Sequence, residues 1–391
     1  MGECVFKRVL HPVGQGAFFT EQFFDNSGNA FFNVVYDCGE KSTTKHVDRE
    51  IDNTLIIGGK PEVIDVMFIS HLDEDHINGI GHLVNAGCLT AKSVVILPLH
   101  YPLVVKLILE QYRDNNAFDL YSEYDSLLSL FDSGAKILGI DDNTEPEVNT
   151  NDPLSIDEVL ANIGEYSQIK SMQPMVYKDL WYYLPFNTIL DDDRYQKFLE
   201  ALAEADIKRN QLANNKYVKD NLDKLIEIYR NLPKGIGKVT AINVNSLNVL
   251  SFSSQNVRFV EEDWLNYFAI GGWWYYPWER MLVYDSRCSC LYTGDCVMEA
   301  HFNKCLDALV NFITTSIGML QIPHHGRQSC YNKSIACKKE IVSGFTNFNT
   351  TYKKNGFAKQ IVHDFSVTGR MFFQITEHFH SRMELYVRLE V

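Results

Sequence analysis

The sequence predicts an α+β layered fold, on three observations. Apolar, β-branched runs of strand length recur in residues 1–100 and again after 240, while segments with apolar residues three and four apart occupy 101–240. Of the whole chain, 46% is hydrophobic, enough to bury an extended core. In chain order, Ala30 to Cys38 is rich in Phe, Val and Tyr and closes on Cys38-Gly39, as a strand running into a turn does. Val63-Ile64-Asp65-Val66-Met67-Phe68-Ile69 is almost wholly apolar, the pattern of a central strand covered on both faces. Gly79 to Ala86 reads as the start of a helix, and Ser93 to Leu97 as a third buried strand. Leu103 to Tyr112, Tyr121 to Phe131, Arg194 to Ala205 and Tyr217 to Leu232 have the spacing of amphipathic helices. Strands resume at Ser246 to Phe252, Arg280 to Tyr284, Ser289 to Thr293 and Met319 to Ile322, and close the chain at Met371 to Thr376 and Met383 to Leu389. The chain thus divides into a core, 1–100 with 241–391, and a mainly helical insertion, 101–240.

Composition narrows the class. The 391 residues carry 36 Lys and Arg against 50 Asp and Glu, a formal charge of -14. Such a balance argues against a broad footprint on nucleic acid, where many phosphates must be neutralised, but it is compatible with a local basic channel. Nine cysteines without a C-x-x-C pair fit reduced thiols in a cytoplasmic protein. The chain starts without the charged and apolar regions of a secretory signal, and no apolar stretch reaches about 18 residues, so no membrane association is expected.

The chemistry concentrates in Ser70-His71-Leu72-Asp73-Glu74-Asp75-His76-Ile77-Asn78-Gly79, where His71, Asp73, Asp75 and His76 fall directly after a buried strand. Imidazole and carboxylate suit zinc, manganese or iron, and two ligands per ion from one loop would hold two ions close together. A charged surface turn is the plain alternative, but it does not account for H-x-D-x-D-H at a strand end. Leu291-Tyr292-Thr293-Gly294-Asp295 is a second strand ending in a carboxylate, one able to bridge two ions, and Met319 to Gly326 is a third, ending on His324 and His325. Each alone reads as a cap or turn; three together do not.

H-x-D-x-D-H, T-G-D and P-H-H-G, in that order, resemble the metallo-β-lactamase superfamily, and in particular the hydrolase domain of ComEC-type proteins. Val13-Gly14-Gln15-Gly16-Ala17, Val35-Tyr36-Asp37-Cys38-Gly39, Asn245-Ser246-Leu247 and Ser329 resemble further pieces of that domain. The resemblance covers roughly 1–100 and 240–345 and has no counterpart of the ComEC membrane channel. It implies a four-layer αβ/βα fold and a hydrolase with two divalent metal ions, Zn²⁺ or Mn²⁺ with Mg²⁺ as a further option. Carried over by position, His71 and Asp73 bind one ion, Asp75 and His76 the other, Asp295 bridges them, and one of His324 and His325 completes the second site. Strand order favours His324 as the ligand, because it leaves the strand first, and makes His325 the acid or phosphate contact. Asp73 stands where most of the superfamily has His, which moves the preference toward harder ions. His100 is the candidate for the superfamily's further histidine, and Asp37 for a group that orients a ligand histidine. Water activated by the ions, with Asp75 and His325 in the catalytic set, would cut a phosphodiester of DNA or RNA; a small ester or phosphoester is the alternative substrate.

Three features bear on partners. Arg327 to Lys359 holds seven basic residues and only Glu340 acidic, which suits a phosphate path or a solvated face. Between Ile137 and Ile169 there are eight acidic residues and no Lys or Arg, the pattern of a solvated linker. Trp264 to Trp278 holds eight aromatics. That run reads as a hairpin packed on the core, a surface for a protein partner, or a platform for bases. A partner-regulated module, recognised through 101–240 or this run, is the reading from outside the enzymes.

Overall fold

Side chains along the central strands alternate between separate cores, and this alternation builds the layers. The computed structural model describes residues 2–98, 129–130, 132–141, 146–149, 153–162, 168–188, 193–208, 211, 217, 220–231, 246–260, 267–270, 273–275, 288–336, 338–350 and 359–390. On the strand Ala30–Glu40, Val34 and Tyr36 enter one core while Val35 and Cys38 enter another. Val94–Pro98 repeats this, with Val94 and Ile96 on the first side and Val95 and Leu97 on the second. Across the molecule Cys290 and Tyr292 join the first core and Leu291 a third. Successive strand side chains point to opposite faces, so the first core lies between two sheets and the others lie outside them. Helices Lys45–Leu55 and Ile80–Asn85 cover one outer face through Val47, Ile51, Leu55, Ile80 and Leu83. Helices Ala300–Ile313 and Lys359–Val367 cover the other through Phe302, Leu306, Leu309, Ile361 and Phe365. The fold is α+β, in four layers ordered αβ/βα.

Among the described residues the first sheet has eleven strands. Ten of them run in the order Gln168–Ile169, Lys136–Ile140, Val94–Pro98, Val66–Phe68, Ala30–Glu40, Gly16–Phe24, Glu3–Leu10, Met383–Glu390, Tyr267–Ile270 and Trp273–Tyr275, and Arg258–Phe259 also pairs with Met383–Glu390. The second runs Met371–Ile375, Ile341–Asn347, Ile317–Gln321, Cys290–Tyr292, Leu247–Ser253, Trp181–Asn187, Met175–Tyr177 and Leu154–Ser155. Parallel pairing joins Ala30–Glu40, Val66–Phe68, Val94–Pro98 and Lys136–Ile140 in one sheet, and Cys290–Tyr292, Ile317–Gln321, Ile341–Asn347 and Met371–Ile375 in the other. Between the sheets, Phe6 stacks on Trp181 at 4.1 Å and Tyr36 on Tyr292 at 4.9 Å between ring centroids. Arg8 and Glu21 are buried there as an ion pair, tied to Ser251, Tyr183 and Tyr292, which satisfies both charges.

The block 101–240 contributes strands as well as helices. Helices at Asp193–Glu204 and Leu222–Asn231 match the expected ones, but 136–187 supply strands to both sheets. Trp181–Asn187 lies inside the second sheet, paired with Leu247–Ser253, although it contains Pro185, which cannot donate to a ladder. Among the described residues the block therefore mixes these strands with the short helix Ile156–Ala161 and the two later helices. The helix expected at 103–112 and the strand at 280–284 lie outside the described residues, as does nearly all of the helix expected at 121–131. Within the aromatic run, Tyr267–Ile270 and Trp273–Tyr275 form a hairpin that pairs with Met383–Glu390 and lies at the end of the first sheet. Among the described residues, no helix is long and apolar enough to cross a membrane.

Candidate metal centre

The ligand-type residues follow the C-terminal ends of Val66–Phe68, Cys290–Tyr292 and Ile317–Gln321, all within parallel runs. Crevices outside such ends are where layered α/β proteins place ligands. The two sheets meet there closely: the Leu247 N–H donates to the Ser70 carbonyl at 2.8 Å. Gly294, at φ +52, packs so tightly that a Cβ would stand 2.5 Å from that of Ser70. His324 and His325 adopt φ of 51° and 53°, followed by Gly326 at 77°. Left-handed backbone costs a non-glycine residue about 1–3 kcal/mol and persists where the surroundings enforce it, typically at functional sites.

Asp295 offers its two oxygens to two sets of groups. Its Oδ2 lies 3.7 Å from His71 Nε2 and 3.5 Å from His324 Nδ1, and its Oδ1 lies 3.3 Å from His76 Nε2 and 3.9 Å from His325 Nε2. Asp73 Oδ2 is 3.6 Å from His71 Nε2, and Asp75 Oδ2 is 3.2 Å from His325 Nε2. The donor atoms of His71, His76 and Asp295 lie within 4.8 Å of one another, and so do those of Asp75, His76 and His325. Buried polar atoms are nearly always hydrogen-bonded. Yet His71 Nε2, His76 Nε2, His325 Nε2 and Asp295 Oδ1 are buried without a hydrogen-bond partner. Four inward-facing donors left unsatisfied around one carboxylate fit divalent cations, whose coordination would supply the missing interactions.

The outward nitrogens are all engaged. Asp37 Oδ2 accepts from His76 Nδ1 at 2.8 Å and from the Ser70 hydroxyl at 2.7 Å, while its Oδ1 accepts from the Ser70 N–H at 2.7 Å. His71 Nδ1 lies 2.9 Å from Ser70 Oγ and 3.3 Å from Ser246 Oγ. His325 Nδ1 donates to the Asn347 carbonyl at 3.1 Å. With the proton held on Nδ1, each of these histidines presents a bare Nε2 to the cluster. His324 is arranged differently. Arg327 Nη1 donates to its Nε2 at 3.3 Å, and its Nδ1 lies 3.6 Å from Cys330 Sγ. A guanidinium only donates, so the His324 proton sits on Nδ1.

Charge reinforces the contrast. Burial pushes Asp75 up, but the imidazole of His325 beside it, with that of His76, outweighs this and brings the carboxyl down to about 2. Burial opposes the charged forms of Asp295 and His76 as well. The histidines His324, His76 and His325 nonetheless hold Asp295 well below the usual carboxylate range, and Asp37 and Asp295 hold His76 well above its ordinary value. His325 is also raised, by Asp295 and Asp75 against burial, whereas burial keeps His324 below its ordinary value.

The cluster thus gathers His71, Asp73, Asp75, His76, Asp295 and His325, with Asp37 behind His76. His324, the ligand expected from strand order, borders it, and the donor group of Asp75 and His76 takes in His325. The left-handed turn swings the second imidazole, not the first, against Asp75 and His76. Ser329 is exposed, with its hydroxyl 3.9 Å from Cys330 Sγ, and not part of the cluster. His100 lies outside the described residues. The roles of Ser70, Ser246 and the Asn347 carbonyl are absent from the sequence-based expectation; a hydroxyl directly before the first ligand histidine is the one local signal for Ser70. Asp37→Asn should weaken metal affinity about 10–100-fold by freeing the His76 ring. Competition with a chromogenic chelator measures this, and wild-type affinity would remove Asp37 from the centre.

No family model and no curated protein matches the sequence. Among solved structures, the metallo-β-lactamase fold protein YhfI from Bacillus subtilis is similar at 10% identity and a TM-score of 0.39, over 97% of this chain and 99% of that one. A long form RNase Z from yeast is similar at 11% identity and a TM-score of 0.32, over 81% of this chain; the match spans 32% of the yeast protein. At these scores neither likeness adds weight, and the fold rests on its own layers and strand order.

Proposed function

We propose that this four-layer chain is a two-metal hydrolase of the metallo-β-lactamase type, acting on phosphodiesters of DNA or RNA. The observation that carries the reading is the set of buried, unsatisfied donors converging on Asp295. His71, Asp73 and Asp295 Oδ2 would hold one ion, and Asp75, His76, His325 and Asp295 Oδ1 the other. Mixed nitrogen and carboxylate donors suit Zn²⁺ or Mn²⁺. When bound, two such ions activate water at neutral pH and offset charge that develops on the attacked centre. The protein's own part is orientation and hydrogen bonding. Asp37, Ser70 and the Asn347 carbonyl lock the ligand rings, and His324, with its proton on Nδ1 beside Asp295, would donate a hydrogen bond to charge that develops on the leaving oxygen.

The test is elemental analysis of the purified protein, followed by cleavage of bis(p-nitrophenyl) phosphate and of single- and double-stranded DNA and RNA with Zn²⁺, Mn²⁺ or Mg²⁺. Absence of bound metal together with absence of cleavage under every condition overturns the reading. The two histidines separate the roles. His325→Ala should lose an ion and its activity, whereas His324→Ala should keep both ions and lose about 10²–10⁴-fold in kcat. Metal loss in His324→Ala alone would exchange the two assignments.

A further inference from the structure

We propose that Arg327 selects an anionic phosphoryl group at this centre by donating from its guanidinium to a phosphate oxygen, an inference that rests on the hydrolase reading above. Arg327 leaves the same turn that carries the two histidines. Its N–H donates to the His324 carbonyl at 2.9 Å, its own carbonyl accepts from the Cys330 N–H at 3.0 Å, and its side chain is half-buried. The guanidinium reaches His324 Nε2 at 3.3 Å, and the far side of that ring faces Asp295 Oδ2 at 3.5 Å. One imidazole therefore separates the fork from the bridging carboxylate, which puts it within reach of a group bound at the ions.

Charge balance points the same way. Asp37, Asp73, Asp75 and Asp295 bring four negative charges to the cluster, which two divalent ions would cancel. Lys41, the cation on the opposite flank, is paired with Glu74 at 3.2 Å. Arg327 brings a guanidinium to the edge of this centre, a group that complements a phosphodiester and not a neutral ester. The basic run that follows offers less. Lys333 pairs with Asp364 at 3.3 Å, Lys338 with Asp307, and Lys339 with Glu340 at 3.8 Å, while Lys353 and Lys354 lie outside the described residues. A planar fork matches two phosphate oxygens as a lysine ammonium does not.

The probe is inorganic phosphate, titrated calorimetrically into metal-loaded protein. R327A should bind it about 30-fold more weakly at unchanged metal content, and R327K should recover only part of the loss. In parallel, kcat/KM should fall about 10-fold further on bis(p-nitrophenyl) phosphate than on p-nitrophenyl acetate in R327A. Equal phosphate affinity in R327A and wild type overturns the inference, as does an equal fall on both substrates, which would assign Arg327 to orienting His324. A wild type that binds phosphate through Arg327 yet cleaves no diester leaves the inference standing and removes the hydrolase reading.

Discussion

Asp295→Asn is expected to reduce phosphodiester cleavage by more than about 10³-fold and to lower the metal content below two ions per chain. The substitution is nearly isosteric, so the fold should persist. An amide, however, turns an NH₂ toward one of the two donor sets that the carboxylate oxygens now serve at 3.3 Å and 3.7 Å. A neutral group also removes the negative charge that two adjacent cations require. The magnitude follows from what an ion would supply: it would bring the pKa of bound water far down, to about 7, and losing it would forfeit most of that factor. Elemental analysis, circular dichroism and bis(p-nitrophenyl) phosphate turnover on one preparation decide the matter. Two ions retained in a folded Asp295→Asn variant would refute the bridging role.

Gly39→Ala should damage the same centre from behind. A Cβ at Gly39 would stand 2.5 Å from the Asp75 carbonyl carbon and from the His76 nitrogen. Both are backbone atoms of the short helix Glu74–Ile77, so no side chain can swing aside. The helix must move, and Asp75 and His76 move with it. A cost of about 2–4 kcal/mol in unfolding free energy is expected, with at least about a tenfold loss of metal affinity. Gly81→Ala is the contrast. It lies in the helix Ile80–Asn85 with its nearest neighbour, Ser129 Oγ, at 3.6 Å, and it should stabilise by about 0.5–1 kcal/mol. Denaturant titration of both variants, with chelator competition on the first, checks the pair; equal stabilities would show that the strand and helix can separate at no cost.

Legibility differed from element to element for physical reasons. The layers were legible because burial of a strand on one or both faces is written as period-two or continuous apolar runs, as at Val94–Pro98. Trp181–Asn187 was not, because Pro185 lacks the donor that a central strand normally needs, and only the neighbouring Leu247–Ser253 strand reveals the pairing. At the site, residue chemistry singled out His71, Asp75, His76 and Asp295. It did not single out Arg327, which follows P-H-H-G as one more basic residue of a basic stretch.

By itself the sequence determined that three strands end in residues of the metal-ligand type and that apolar strands and amphipathic helices would stack in layers. Both properties are local, since alternation and side-chain chemistry need only a few adjacent residues. Tertiary structure alone decided which donors face one another. Ser246 meets His71 across 175 residues of chain, and each oxygen of Asp295 faces one histidine from the loop after Val66–Phe68 and one from the turn after Ile317–Gln321. The different settings of His324 and His325 have the same origin. Two consecutive left-handed residues are unfavourable for any isolated peptide and are held only by the packed turn around Gly326, so no strand-end rule could foresee which ring would reach Asp75.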